Sequence, residues 1–185
     1  MKKYEILKDE FITLNDETTL YRIRACKDIE ISPTTTIHKG DIGGYIECEA
    51  NLEQKGNCWV SGDAWVYGNA EVCENAEVCE NAEVYGKAVV SGDAWVCENA
   101  EVYGNAEVYG NAEVYGNAEV YGNAVVSGDA WVYGNAEVYG NAEVCENAEV
   151  YGNAEVYGNA EVCENAKVYG DAMVCETNEP DITDD

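Results

Sequence analysis

The chain reads as an all-β protein, a three-sided parallel β-helix, and three observations predict it. Valine recurs at every sixth position from Val60 to Val174, twenty times without a slip. Alanine keeps the same step from Ala64 to Ala172, so the chain repeats as A-E-V-Y-G-N. Within each hexad apolar and polar positions alternate, the period of a strand with one buried face. Six residues fit neither the 3.6-residue α-helix nor a heptad. They suit short strands that bury too little surface alone and must stack on their neighbours.

Each part of the hexad has its place. Ala64 and Val66 point inward, while Trp65 and Tyr67 point outward. Gly68-Asn69 turns the corner, because glycine takes positive φ without a Cβ clash and asparagine is the next most tolerant. Three hexads make one coil of 18 residues, filled by three Val and three Ala. The repeat spans about six coils, about 30 Å at roughly 4.8 Å per stacked strand. A 12-residue coil is the rival winding. Folding at 18 aligns Tyr67, Tyr85, Tyr103, Tyr121, Tyr139 and Tyr157 in one column, whereas folding at 12 mixes Tyr with Cys. That favours three sides.

Residues 1–57 lack the hexad and form an N-terminal β cap. Phe11-Ile12-Thr13-Leu14, a turn at Asn15-Asp16 and Leu20 to Ala25 predict a hairpin. Arg22 and Arg24 alternate with apolar neighbours, so both belong on its solvated side. Ile42 to Ile46 leads into the first coil, and the cap covers an edge that would otherwise template chain-to-chain pairing. The β-helix occupies 58–175. Residues 176–185 hold Pro180 and five acids, and read as a disordered tail.

Eighteen residues per coil sort the outward positions into three faces. The first carries Glu83, Glu101, Glu119, Glu137 and Glu155 beside the six-tyrosine column. The second alternates acids with Val89 and Val125. The third alternates Trp59, Glu77, Trp95, Glu113, Trp131 and Glu149. Carboxylates about 5 Å apart repel by roughly 0.8 kcal/mol per pair in water, so the first row costs about 3 kcal/mol. A basic partner relieves that load. The block AVVSGDAWV at 88–96 returns at 124–132, two coils later, and the phrase VCEN also recurs. Both look like copied repeat units.

Charge is concentrated in the coils. The whole chain carries −27. Residues 1–57 hold 8 basic and 11 acidic residues, net −3, and the remainder holds 2 and 26, net −24. Such a surface disfavours nucleic acid and anionic membrane as direct ligands and favours basic partners. The start, MKKYEILKDEF, has no apolar run fit for a signal peptide or membrane span, which predicts a cytoplasmic protein. Its nine cysteines are then expected to stay thiols, although Cys79/Cys97 and Cys145/Cys163 stack within disulfide range if oxidised.

Catalytic chemistry is scarce. His38 is the one histidine and lies outside the hexads, so neither a three-histidine metal site nor a histidine base belongs to the coils. No phosphate loop, nucleophile elbow or dinucleotide fingerprint follows a strand. Cysteine spacings are not those of zinc knuckles, and evenly spaced glutamates lack calcium's converging oxygen cage. No catalytic residue, metal or cofactor is assigned.

The hexads, and KGDIGGYIECEANLEQKGNCWV at 39–60 followed by VYGNA runs, resemble a group of bacterial and phage hexapeptide-repeat proteins labelled acetyltransferase-like. The resemblance implies a left-handed β-helix. True acyltransferases of that shape use a histidine and a loop breaking the coil, and these hexads contain neither.

The function expected is that of a non-catalytic acidic interaction protein whose partner is a basic protein. A 30 Å acidic prism matches about nine base pairs at 3.4 Å, so it can act as a nucleic-acid mimic inhibiting a host DNA- or RNA-binding or defence protein. The partner-binding residues are Glu83, Glu101, Glu119, Glu137 and Glu155, with Tyr85, Tyr103, Tyr121, Tyr139 and Tyr157. Two other classes stand beside this reading. One is a self-assembling scaffold or homo-oligomer joined through an aromatic face. The other is a degenerate acyltransferase.

Overall fold

The computed structural model describes residues 2–175, so the tail expected at 176–185 lies outside the described residues. Hexad strands stack in three parallel sheets, each strand pairing with the one 18 residues later. Glu83 pairs with Glu101, Val89 with Glu107 and Trp95 with Glu113. The coil therefore has 18 residues. On the third face the strands from Trp59–Val60 to Lys167–Gly170 number seven, so about seven coils are stacked.

Packing follows from the two inward positions. From Val60 to Val156 and Ala64 to Ala154 the inward side chains are at most 1 % exposed. Burying one valine on every strand, at about 1.5 kcal/mol or more each, is what fixes the register. The last coil is looser, and Ala166 there is exposed.

Corners depend on backbone that takes positive φ. Gly86 has φ 76, and a Cβ there would lie 3.0 Å from the backbone N and O of Gly104 in the next coil. The same corner position is glutamate at Glu74, Glu80, Glu98, Glu146 and Glu164, all with φ between 58 and 63. Asparagine has another task. Its amides form ladders from coil to coil, the longest running Asn81, Asn99, Asn117, Asn135, Asn153 and Asp171 at 2.9–3.2 Å.

Residues before the hexads join the first sheet. Strands β1 (Tyr4–Thr13) and β2 (Thr19–Ala25) form the hairpin, longer than its sequence signal, and Leu14 falls in the turn. A second hairpin follows, β3 (Ile29–Ser32) with β4 (Thr35–Ile37). Strand β5 (Ile42–Ile46) pairs antiparallel with β2 and parallel with Trp65–Val66. Stacking therefore begins before the repeat does. Lys3 is fully buried, its ammonium donating to Lys55 O, Cys58 O and Cys58 Sγ at 2.8–3.2 Å. Burial lowers its pKa, and those three acceptors tie β1 to the first coil.

Two expectations are corrected and a third gains detail. Arg22 keeps to the outer side with Arg24 but is the more covered of the two, its side chain 22 % exposed against 45 %. It lies over the Tyr45 ring, 4.1 Å from its centroid, and reaches Asp63 at 2.6 Å, whereas Arg24 pairs with Glu5 at the surface. Trp59 keeps its outward register beside Glu77 but is buried, because the cap covers it and Gly43 packs so close that a Cβ would not fit. Finally, four of the nine cysteines are joined, as Cys79–Cys97 and Cys145–Cys163, with Cα atoms 4.7 and 4.6 Å apart. Stacking of adjacent coils itself places them in disulfide range. Among the described residues no helix is long and apolar enough to cross a membrane.

Candidate functional site

The first face brings together every residue assigned to it. Glu83, Glu101, Glu119, Glu137 and Glu155 lie in consecutive register on one sheet. The rings of Tyr67, Tyr85, Tyr103, Tyr121, Tyr139 and Tyr157 stack face to face, with centroids 4.9–5.2 Å apart and planes within 9°. Column order was legible in the 18-residue fold. The link between the two columns was not.

Four of the six tyrosine hydroxyls donate to the glutamate sixteen residues ahead, in the next coil. Tyr85 reaches Glu101 at 3.1 Å, Tyr103 Glu119 at 2.9 Å, Tyr121 Glu137 at 3.0 Å and Tyr139 Glu155 at 2.9 Å. Four charge-assisted bonds thus hold a half-buried carboxylate row in one arrangement. The long acidic side chains do not splay. Burial, then the nearby carboxylates, pushes Tyr67 up to about 12 and raises Tyr85, Tyr103 and Tyr121 well above the usual phenol range. Burial, with Glu101 adding to it, raises Glu83.

Stacking also limits what a partner can touch. Interior rings of the ladder present their edges outward, because each face is covered by a neighbouring ring.

On the third face the same sixteen-residue step meets different residues. Ser61 Oγ lies 3.4 Å from Glu77, a long contact. The position that would serve Glu113 is Cys97, whose sulfur is bonded to Cys79 and has no hydrogen to donate. Glu149 takes the ammonium of Lys167 at 2.6 Å. The column therefore reads Trp59, Glu77, Trp95, Glu113, Trp131, Glu149, Lys167 in unbroken parallel register. Beside it Tyr115, Tyr133, Tyr151 and Tyr169 form a second ladder.

The second face offers little. Cys145 Sγ, Cys163 Sγ and a Glu161 oxygen lie within 4.8 Å of one another, but two sulfurs bonded together have no thiolate to give a metal. His38 is exposed, 3.9 Å from Asp28, and far in sequence from both faces.

Comparison with known proteins adds one finding. Residues 118–134 match a family model described as YdcK Beta solenoid repeat. The match covers about one coil, and with the stacked sheets it makes the chain a β-solenoid repeat protein. No curated protein matches the chain.

Proposed function

We propose that this chain is a non-catalytic, acidic interaction protein whose first face binds a basic partner, in the manner of a nucleic-acid mimic that occupies a host DNA- or RNA-binding protein. The observation that carries the reading is the fixed row Glu101, Glu119, Glu137 and Glu155, each oriented by one tyrosine hydroxyl. A carboxylate has about four lone-pair sites, so each keeps acceptor capacity for an incoming cation. Because the row is already ordered, a partner does not have to freeze it, which removes a cost that flexible glutamates would impose. Like-charge repulsion along the row is relieved when lysine or arginine arrives, and that relief adds to affinity. The partner meets carboxylates and ring edges, not ring faces.

We read the resemblance to acetyltransferase-like hexapeptide proteins as one of fold alone, since His38 stands outside the coils.

The test is competition. A host nucleic-acid-binding protein retained on the immobilised chain should elute with salt and with a ten-base-pair duplex. Glu101→Gln, Glu119→Gln and Glu137→Gln together should abolish retention while the tyrosine bonds persist, because a carboxamide oxygen still accepts. Retention that ignores the duplex, or survives the triple variant, overturns the proposal.

A further inference from the structure

The third face carries a different recognition chemistry, independent of the first. Here alternation sets each carboxylate between aromatic neighbours: Glu77 between Trp59 and Trp95, Glu113 between Trp95 and Trp131. Trp131 is 42 % exposed and Trp95 half-buried, so both indoles reach the surface. Among the described residues Glu113 accepts no side-chain hydrogen bond, because disulfide-bonded Cys97 occupies the donor position. The fold supplies its own example of what such a column takes. At its far end, next to Trp131 and Glu149, the next residue in register is Lys167, and its ammonium sits 2.6 Å from the Glu149 carboxylate.

A wall completes the near end. Hairpin β3–β4 stands over the column, and between them lies a cleft of about 430 Å³ lined by Pro33, Asn75, Glu77, Asp93 and Trp95. Its two carboxylates and indole suit an alkylammonium: the charge meets the acids, and the methylene stem lies on the apolar ring. The Cys79–Cys97 bond ties the coil bearing Glu77 to the coil bearing Trp95.

We propose that the third face binds lysine side chains of an extended basic segment of a partner protein, one at Glu77 and the next at Glu113. Glu77 and Glu113 are two coils apart. Neighbouring tyrosine rings on this face are 4.9–5.4 Å apart, so two coils rise about 10 Å. A polyproline-II segment, with three residues per turn at about 3.1 Å each, carries lysines three positions apart on one side at about 9.3 Å, which matches that interval. Lysines two positions apart reach only about 6 Å and point to different sides.

Calorimetry of the full-length chain tests this, with an acetylated Lys-Ser-Gly-Lys amide as probe and Lys-Ser-Lys amide as its mismatched control. The matched peptide should bind about tenfold more tightly than the control. Glu113→Gln should weaken it about tenfold, and Trp95→Leu should weaken it with the melting temperature kept within a few degrees. The triple first-face variant should bind the peptide as the parent does, which separates failure here from failure of the first-face proposal. Spermidine distinguishes a segment reader from a polyamine site: weak, Glu113-independent binding supports the former. Equal affinity for both peptides, indifference to Glu113→Gln, or tighter binding of spermidine than of the matched peptide overturns the inference.

Discussion

The first and third faces share one backbone, one register and one acidic repeat, yet they treat their carboxylates in opposite ways. On the first face a tyrosine stands sixteen residues before each of the five glutamates, and four of those hydroxyls, from Tyr85 to Tyr139, claim their carboxylate. On the third face that donor position is a serine at long range, a disulfide-bonded cysteine, or a tyrosine displaced by Lys167. Corners differ in parallel. Every first-face corner from Gly68 to Gly158 is glycine, while the third face has Glu80 and Glu98 at that position. Backbone repetition decides where a charge stands. The residue just after the valine decides whether a donor stands within reach of that charge.

Alkali should break the comparison most completely. Tyr67 and Tyr139 are held at about 12, by burial first and then by carboxylates, so folding favours the neutral phenol. A raised folded pKa gives stability that is full below the unfolded value near 10 and lost as pH climbs through the folded one. Phenolate absorbance followed with β-sheet circular dichroism should show Tyr67 and Tyr139 ionising no lower than about pH 12, together with unfolding. First-face tyrosines that titrate near 10 in a folded protein would contradict the ladder.

Cys97→Ser acts next, on the third face. Losing the bond that closes an 18-residue loop should cost about 3 kcal/mol by denaturant melts. It also returns a hydroxyl to the donor position before Glu113, so affinity for the matched lysine peptide should fall. Unchanged stability would mean the two thiols are not joined in solution.

Tyr103→Ala removes two ring contacts and the bond to Glu119, an expected loss of about 2–3 kcal/mol, whereas Tyr103→Phe keeps the stack and should lose only about 1 kcal/mol. Equal losses would show that the hydroxyl, not the stack, orders the first face. The smallest effect is a gain. Glu98 has φ 62, and glycine there should stabilise the protein by about 1 kcal/mol in the same melts.

Much of this was legible in the residues. The valine step and the pure tyrosine column led to the 18-residue coil, and with it every vertical neighbour. The tyrosine-to-glutamate bond was harder to see, since columns say which residues stack but not how far a side chain leans along the axis. Its signal was present all the same: Tyr and Glu recur sixteen apart in five successive coils. The left-handed glutamates were hidden because the VCEN phrase reads as copied sequence. Glu74 has a visible compensation, accepting the N–H of Gly92 at 2.7 Å, and nothing in the structure explains the other four. Burial of Trp59 and the capture of Arg22 depended on how the aperiodic residues 1–57 fold over the first coil, which no repeat encodes.

The asparagine ladder along the third corner has a consequence for how this molecule changes size. Each amide speaks only to the coils directly above and below it, as do each tyrosine and each valine. Removing or adding eighteen residues in the middle, for example 101–118, leaves every column intact and shortens or lengthens the rod by one rise. Removing twelve puts every downstream residue on the wrong side. The gene can therefore set molecular length as a ruler is cut, in whole divisions, to suit whatever it must span.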